Sequence, residues 1–454
     1  MPPATRSQTV RQTVAHGYSA SPSRLTDQEK AENNVRLREQ ASGYASRATS
    51  QSSTRSARSK APDEPPRFVI NLSLPPEQRY LEVCEAFKDQ IRGLTPLSDE
   101  VVGDMASWLP LKGLHRMNRT FLSGVRDGEE NRELKGISKA TGVDMYLLVC
   151  FNVLLDLFMG CSSGGAAISD GNGGSKMVHF RTLDCGMPSL RKIVVQLDFI
   201  PETDGPTIAS CITYAGYVGI LTGVRKDFSV SLNFRPNRLD KYKFWSDTRY
   251  YWHLAMVLLG RRRSVSSELR SLLLPTKIKA IDTMTGRNGS ALTTTACYLC
   301  FSDGTETTVI EKDRATAVFR SSNDFIVITN NDLDHEDEKV AEAAQRFEDE
   351  RSPFVSALAE IVEEGKDRRL CAHHNYHNMR KQQAKHIAAS DEDSLRRVLN
   401  VDDIVKMVQR YPTTNETTHY ACVMDPTQGD IKWCRRWVKP VTSRWIREHA
   451  SNDY

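Results

Sequence analysis

The sequence predicts an α+β fold layered helix–sheet–sheet–helix. Three observations carry this expectation. Up to about residue 160 the pattern is mainly helical. After Cys161, β-branched runs broken by Gly, Asp, Asn and Pro fill most of the chain. Amphipathic helices interrupt those runs near 249–273 and 338–364. With 454 residues there is material for a large core and about two or three domain-sized units.

Residues 1–65 are poor in large apolar side chains and rich in Ser, Arg, Gln and Ala. They cannot bury enough surface to offset the entropy of ordering, so a disordered tail is expected there. The first residues lack an apolar signal core, so no secretory signal is visible and the sequence alone points to the cytoplasm. Arg6, Arg11 and Arg24, with several serines and no acid before Asp27, also suit an organelle transit peptide.

Order is expected to begin at FVINLSLPP (68–76), a strand that Pro75 and Pro76 terminate. YLEVCEAFKDQIRGL then places Leu81, Cys84, Phe87, Ile91 and Leu94 on one helical face. A further helix is expected from about Asp144 to Phe158, between Gly142 and Gly160. Asn152 and Asp156 make this apolar stretch too polar, and it is too short, for a membrane span. The strands expected next are 192–200, 206–221, 228–234, 278–284, 292–301, 307–312, 315–320 and 324–330. A last pair, THYACVMDP and GDIKWCRRW, flanks a Thr-Gln-Gly turn. The resulting units are a tail (1–65), a mainly helical segment (66–160) and a strand-rich domain (161–454).

Composition narrows the function. The 61 basic and 57 acidic residues nearly cancel, which disfavours nucleic acid as a partner. Arg261-Arg262-Arg263 reads as a solvated loop or helix end. Ten cysteines in so long a chain are no disulfide scaffold. Cys297 and Cys300 have CxxC spacing but no second CxxC, so buried thiols are expected rather than zinc. His373 and His377 are spaced for one helical face near Cys371 and His374, but the Glu of H-E-x-x-H is missing, so no metal is expected. Ser169–Ser175 lacks the ending of a phosphate loop and reads as a hairpin turn. Asp334–Glu338 favours the start of the helix that follows. The sequons at Asn71, Asn118, Asn288 and Asn415 matter only in a secretory compartment.

FMGCSSGG (158–165) sets two nucleophiles side by side. Gly160-Cys161-Ser162-Ser163-Gly164 fits G-x-S-x-G, but that elbow needs a strand before the serine and a helix after it. Here a helix precedes and a Gly-rich turn follows, so both flanks of Ser162 are wrong. Cys161 is either a packed thiol at the end of an apolar helix or a reactive one. Gly160 leaves the preceding peptide bond open to attack. VHFRTLDCG, returning through a DGNGG hairpin, would bring Arg181 and Asp184 beside the thiol. An Arg there favours thiolate and an Asp holds a protonated amine, but a structural Arg–Asp pair fits equally.

From residue 66 to its end the chain resembles the acid ceramidase and N-acylethanolamine-hydrolysing acid amidase family of N-terminal-nucleophile cysteine hydrolases. The resemblance runs in order through PPRFVINLSLPPEQRY, ELKGISKATGVDMYLLVCFNVLLDLFMGC, HFRTLDCGM, AGYVGILTGVRKDFSVSLNFRP, VITNNDLD and KDRRL. It implies an N-terminal-nucleophile αββα sandwich preceded by a helical pro-segment, cut between Gly160 and Cys161. It implies Cys161 as nucleophile, Arg181 and Asp184 as the pair orienting its thiol and amine, and Asn330 as the oxyanion donor. Arg368 matches a later active-site Arg, and Asn233 and Phe234 fall at a substrate-side position.

The implied substrate is a fatty-acyl amide, an N-acylethanolamine, a ceramide or a related lipid, hydrolysed without a cofactor. Self-association of the two cut segments and transient contact with a membrane or micelle are implied as well. So is a lysosomal or vacuolar location. The chain departs from the family pattern at Thr182, where Asn is common, and in a longer, Gly-rich loop between Cys161 and Arg181. It has Asn233-Phe234-Arg235 where acid ceramidases have Asn-Glu-Arg, and no cysteine lies before Cys84 to bridge two subunits. These departures keep a second expectation open, a catalytically impaired member acting as a binding or scaffold protein. A serine hydrolase using Ser162 is the third.

Overall fold

The computed structural model describes residues 63–93, 124–155, 159–235, 252–274, 294–314, 316–333, 353–389 and 399–450, with only the backbone at 154, 353–363 and 384–389. The expectations for residues 1–62, for the strand at 278–284, for Asp334–Glu338 and for the sequons at Asn118 and Asn288 lie outside these residues.

β1 (Arg67–Asn71) alternates exposed and buried, sending Phe68 and Ile70 into the core. α1 (Leu81–Arg92) buries Val83, Cys84, Phe87 and Ile91. Of the expected face, Leu81 is 46% exposed and Val83 packs in its place, and Leu94 lies outside the described residues. α2 (Gly128–Thr141) is capped by Asp127, whose side chain accepts from the amides of Glu129 and Glu130. Gly142, with φ +78°, ends it in the left-handed region that favours glycine. α3 (Met145–Leu154) follows directly.

β2 (Met159–Ser169) and β3 (Ser175–Cys185) form the expected hairpin, with Asp170 Oδ1 accepting the amides of Asn172 and Gly174 in the turn. Then come β4 (Val194–Ile200), β5 (Ala209–Tyr214), β6 (Thr222–Arg225) and β7 (Phe228–Phe234). The helix expected over 249–273 is two. A helical stretch at 252–258 stops at Gly260, φ +63°, and α4 (Val265–Leu273) starts behind the Ser264 cap. The arginine run lies in this break, where Arg262 bonds His253 and Arg263 pairs with Asp127.

β8 (Cys297–Ser302), β9 (Thr307–Lys312), β10 (Ala317–Ser322) and β11 (Phe325–Ile328) continue the strands. α5 (Pro353–Ala389) runs far beyond the expected end at 364. α6 (Val401–Val408), β12 (Thr418–Asp425), β13 (Asp430–Arg436) and α7 (Ser443–His449) complete the described chain.

The strands make two sheets. One has eight strands in the order β1-β4-β5-β6-β7-β8-β9-β10, parallel at β1–β4 and antiparallel elsewhere. The other has five, β11-β2-β3-β12-β13, all antiparallel. Polar contacts join their facing sides: Ser163 to Asn233, His179 to Ser229 and Ser231, and Thr222 to Tyr420. On the outer face of the five-stranded sheet, Ala166, Ile168, Phe180, Ala421 and Val423 form an apolar cluster with Ala372 and Tyr376 of α5 and Ile404 and Met407 of α6. On the far side, α1 to α4 pack into the core of the eight-stranded sheet. The architecture is the expected helix–sheet–sheet–helix sandwich. Segment 66–160 is not only helical, since it contributes β1 to the larger sheet and the first two residues of β2. Among the described residues no helix is long and apolar enough to cross a membrane.

Candidate active site

The β2–β3 register sets Gly160 opposite Asp184 and Cys161 opposite Leu183. Side chains alternate along β2. Cys161 and Ser163 face the eight-stranded sheet, and Ser162, Gly164, Ala166 and Ile168 face the helices. A Cβ on Gly164 would come within 2.1 Å of the Ile326 carbonyl oxygen, so the small residues here are needed for β11 to pair closely with β2. That also accounts for the apparent hydrolase elbow. Ser162 sits inside a strand, fully buried on the helix side, and its hydroxyl has no hydrogen-bond partner.

The Cys161 sulfur is buried and receives a hydrogen bond from Arg181 Nη2 at 3.0 Å. The thiol in turn points toward the carbonyls of Met159 and Leu232, at 3.7 and 3.8 Å. Arg181 Nη1 donates to Ser163 Oγ at 2.9 Å and to Asn233 Oδ1 at 2.6 Å. Asn233 Nδ2 is bonded to the carbonyls of Ile328 and Thr329. Asn233 therefore forms a wall of the site with its amide committed to protein partners. Burial pushes the Cys161 thiol up from its ordinary value, and Arg181 is the largest influence pulling it down. Among the described residues no histidine contacts the sulfur. His179 is bound between Ser229 and Ser231 and is held neutral, lowered to about 3 by burial and by Arg181.

Asn330 follows β11 and reaches across to the start of β2. Its Oδ1 accepts the Cys161 backbone N–H at 2.9 Å. Its Nδ2 donates to Met159 O at 3.2 Å and to Phe234 O at 2.8 Å. Arg368 of α5 donates to the same Oδ1 at 2.9 Å and to Asp184 Oδ2 at 2.6 Å. The other Asp184 oxygen accepts from Thr418 Oγ1 at 2.5 Å. Burial pushes the Asp184 carboxyl up, opposed by Arg368 and then by the Thr418 hydroxyl.

Arg181 and Asp184 are thus not partners. A spacing of three along a strand puts them on opposite faces, Arg181 toward the sulfur and Asp184 toward Arg368. Phe234 joins the site through its carbonyl, while its ring belongs to the main apolar core. Sequence reasoning missed Ser163 and Thr418. Ser163 carried a signal, being two residues beyond Cys161 in a strand, whereas nothing in the sequence linked Thr418 to Asp184.

Other candidates have packing roles. His373 lies edge-on to Phe325, with ring centroids 5.1 Å apart, and burial lowers it to about 4. Cys297 and Cys300 are buried in β8.

A family model described as the beta subunit of N-acylethanolamine-hydrolyzing acid amidase matches residues 63–117. The acid ceramidase of Rattus norvegicus is 28% identical over 188 residues, and that of Pan troglodytes is 29% identical over 196. Over these stretches the chain is similar to acid ceramidases and to the N-acylethanolamine-hydrolyzing acid amidase family model. Each of these acid ceramidase matches covers 37% of this chain and 45% of the relative, so the chain spans less than half the length of the curated relatives it matches. A solved structure of the Caenorhabditis elegans N-acylethanolamine-hydrolyzing acid amidase ortholog is similar at 21% identity and a TM-score of 0.41, over 62% of this chain and 100% of that one. The family-model match lies upstream of Cys161 and includes β1 and α1, the part of the chain that supplies an edge strand to the larger sheet.

Proposed function

We propose that the chain is an N-terminal-nucleophile cysteine amidase that cuts itself before Cys161 and then hydrolyses fatty-acyl amides of the N-acylethanolamine or ceramide type. The observation that carries this reading is the convergence on one residue. Arg181 binds the Cys161 sulfur at 3.0 Å while Asn330 binds the nitrogen of the same residue at 2.9 Å.

In the uncut chain that nitrogen is an amide and cannot take a proton. The Cys161 sulfur attacks the Gly160 carbonyl carbon, the C–N bond breaks as the proton moves to nitrogen, and a thioester links Gly160 to Cys161. Water hydrolyses the thioester, leaving a Gly160 carboxylate and a free amine and thiol on Cys161. The amine titrates near 8, within reach of its own thiol, and serves as the base that the site otherwise lacks. The nitrogen is held by Asn330 Oδ1, which Arg368 also binds, and Asp184 balances the Arg368 charge beside it.

Hydrolysis of the substrate repeats the same acyl transfer. The thiolate attacks the amide carbonyl and an acyl-enzyme forms. The amine leaves with the proton from the Cys161 nitrogen, and water releases the fatty acid. Asn330 Nδ2, relieved of the Met159 carbonyl once the cut end withdraws, donates to the oxyanion. One such donor is worth about 3 kcal/mol. The two cut segments remain together through β1 and the buried Glu133–Arg270 pair.

Mass spectrometry of the purified chain tests this reading. A new N-terminus at Cys161 and loss of both cutting and hydrolysis in Cys161→Ala are the expected results. A Cys161→Ala chain that is still processed and active would refute the mechanism. An uncut wild-type chain at acid and neutral pH would point to a family member that binds lipid amides without hydrolysing them.

A further inference from the structure

We propose that Arg235 is a positioning residue, holding the turn that carries Asn330 in the geometry its donor amide requires. The inference rests on the amidase reading for its kinetic consequence but not for its geometry.

The turn at 330–333 hangs between the two sheets, and its lock to the larger sheet comes from the end of β7. Phe234 O accepts Asn330 Nδ2 at 2.8 Å. The next residue, Arg235, grips Asp332 with two parallel bonds, Nε to Oδ1 and Nη2 to Oδ2, both 2.9 Å. The fork is itself oriented. Its third nitrogen donates to Asp313 Oδ1 at 2.7 Å, and its carbon lies 5.3 Å from the centroid of the Tyr298 ring. Tyr298 completes the grip by donating to Asp332 Oδ1 at 2.9 Å. The Arg235 side chain is 2% exposed and that of Asp332 12%, so water does not substitute for the pairing.

The consequence for Asn330 is geometric. One strand end holds both the donor amide and the carboxylate two residues beyond it. The other side of the turn is closed by α5, where Gly365 comes so near that a Cβ would lie 2.2 Å from Asn331 Oδ1. An oxyanion donor loses most of its value if displaced by about 1 Å. Asn233, the other polar wall, precedes Phe234 in β7, so Arg235 fixes the spacing between the two asparagines. The bidentate grip explains why arginine is used, since lysine offers a point charge without the fork.

The test uses Asp332→Asn, nearly the same shape, together with Arg235→Lys and Arg235→Ala in the full chain. Hydrolysis of a fatty-acyl amide of 7-amino-4-methylcoumarin is measured, and crystal structures of Asp332→Asn and Arg235→Lys are determined. The expected result is a kcat lower by about 10- to 100-fold with KM changed less than about threefold. Arg235→Lys falls between wild type and Arg235→Ala, and Asn330 Nδ2 is displaced from Phe234 O in the variant structures. An Asn330 amide that stays in place, or rates within about twofold of wild type in both conservative variants, would overturn the proposal. Displacement of Asn330 in a protein whose wild type hydrolyses no amide would support the positioning role and sink the amidase reading instead.

Discussion

Arg181 Nη2 meets the Cys161 sulfur at 3.0 Å while the same guanidinium holds Asn233 and Ser163 through Nη1. One planar cation therefore sets the position of the thiol against the opposite sheet and opposes the effect of burial on its ionisation. Replacement by glutamine removes a charge-assisted bond of about 1.5–3 kcal/mol, so kcat/KM should fall by about 10- to 100-fold. The pH profile of Cys161 alkylation in the cut protein should move to higher pH. A profile that does not move would mean that Arg181 acts only as a packing group.

Ser162→Ala should change neither cutting nor hydrolysis by more than about twofold, and stability by less than about 1 kcal/mol. The hydroxyl faces the helices and has no hydrogen-bond partner to lose. Rates of both steps and a urea melt check this. Loss of hydrolysis with normal folding would revive the serine mechanism.

Stability should rise as the pH falls from about 7 toward 4.5. Burial raises Glu130 to about 7, with Arg270 opposing and Asp127 and Glu133 adding to it, and Ser267 donates to its carboxyl. Its folded value lies above its unfolded one, near 4.3. The contribution is complete below the unfolded value and is lost as the pH rises through 7. The span corresponds to about 3 kcal/mol. Glu130→Gln should flatten the dependence of the urea midpoint on pH over this range, and a variant with the wild-type slope would remove Glu130 as its source.

Glu133→Gln should destabilise the protein by about 3–5 kcal/mol, because Arg270 would be left buried without its carboxylate. The double variant Glu133→Leu, Arg270→Met should recover the part owed to Arg270, while Arg79, 3.0 Å from Glu133 Oε1, keeps only Glu129 as its carboxylate. Denaturation of the single and double variants in the uncut Cys161→Ala background separates folding from processing.

Gly365→Ala should lower activity more than stability. The methyl would displace the Asn331 side chain, whose Oδ1 would lie 2.2 Å from it, and disturb the neighbouring Asn330, while the outer apolar packing of the helix near Ala372 and Tyr376 is kept. Parallel measurement of kcat and of the melting temperature decides this.

The same glycine shows where the sequence was legible and where it was not. The expected helix ended at 364, one residue before Gly365, and glycine costs about 1 kcal/mol in a helix interior. Here it packs closely against the Asn331 side chain, and the helix runs on to Ala389. Tertiary contact overrode local propensity, and a contact between residues so far apart leaves no local pattern. The structure brings together Cys161, Arg181 and Asn330, which the resemblance singled out through the short runs that carry them. The structural Arg181–Asp184 pair stayed open as one of two readings because residue types were weighed without strand alternation, which by itself separates the two side chains. Thr418 was invisible, since only the β3–β12 register brings it to Asp184. The layers of the fold were readable from hydrophobic periodicity, whereas the break at Gly260 depended on a backbone conformation that composition does not encode.

β1 lies at the rim of the larger sheet, paired in parallel with β4. A recombinant polypeptide starting at Cys161 would carry the VVQLDFI strand with its amides and carbonyls bare along one side. Such an unsatisfied, greasy border recruits whatever strand it meets, including that of a sister molecule. Production of the downstream half alone should therefore yield clumped material, and a soluble preparation is best sought by letting the intact polypeptide fold first and divide afterwards.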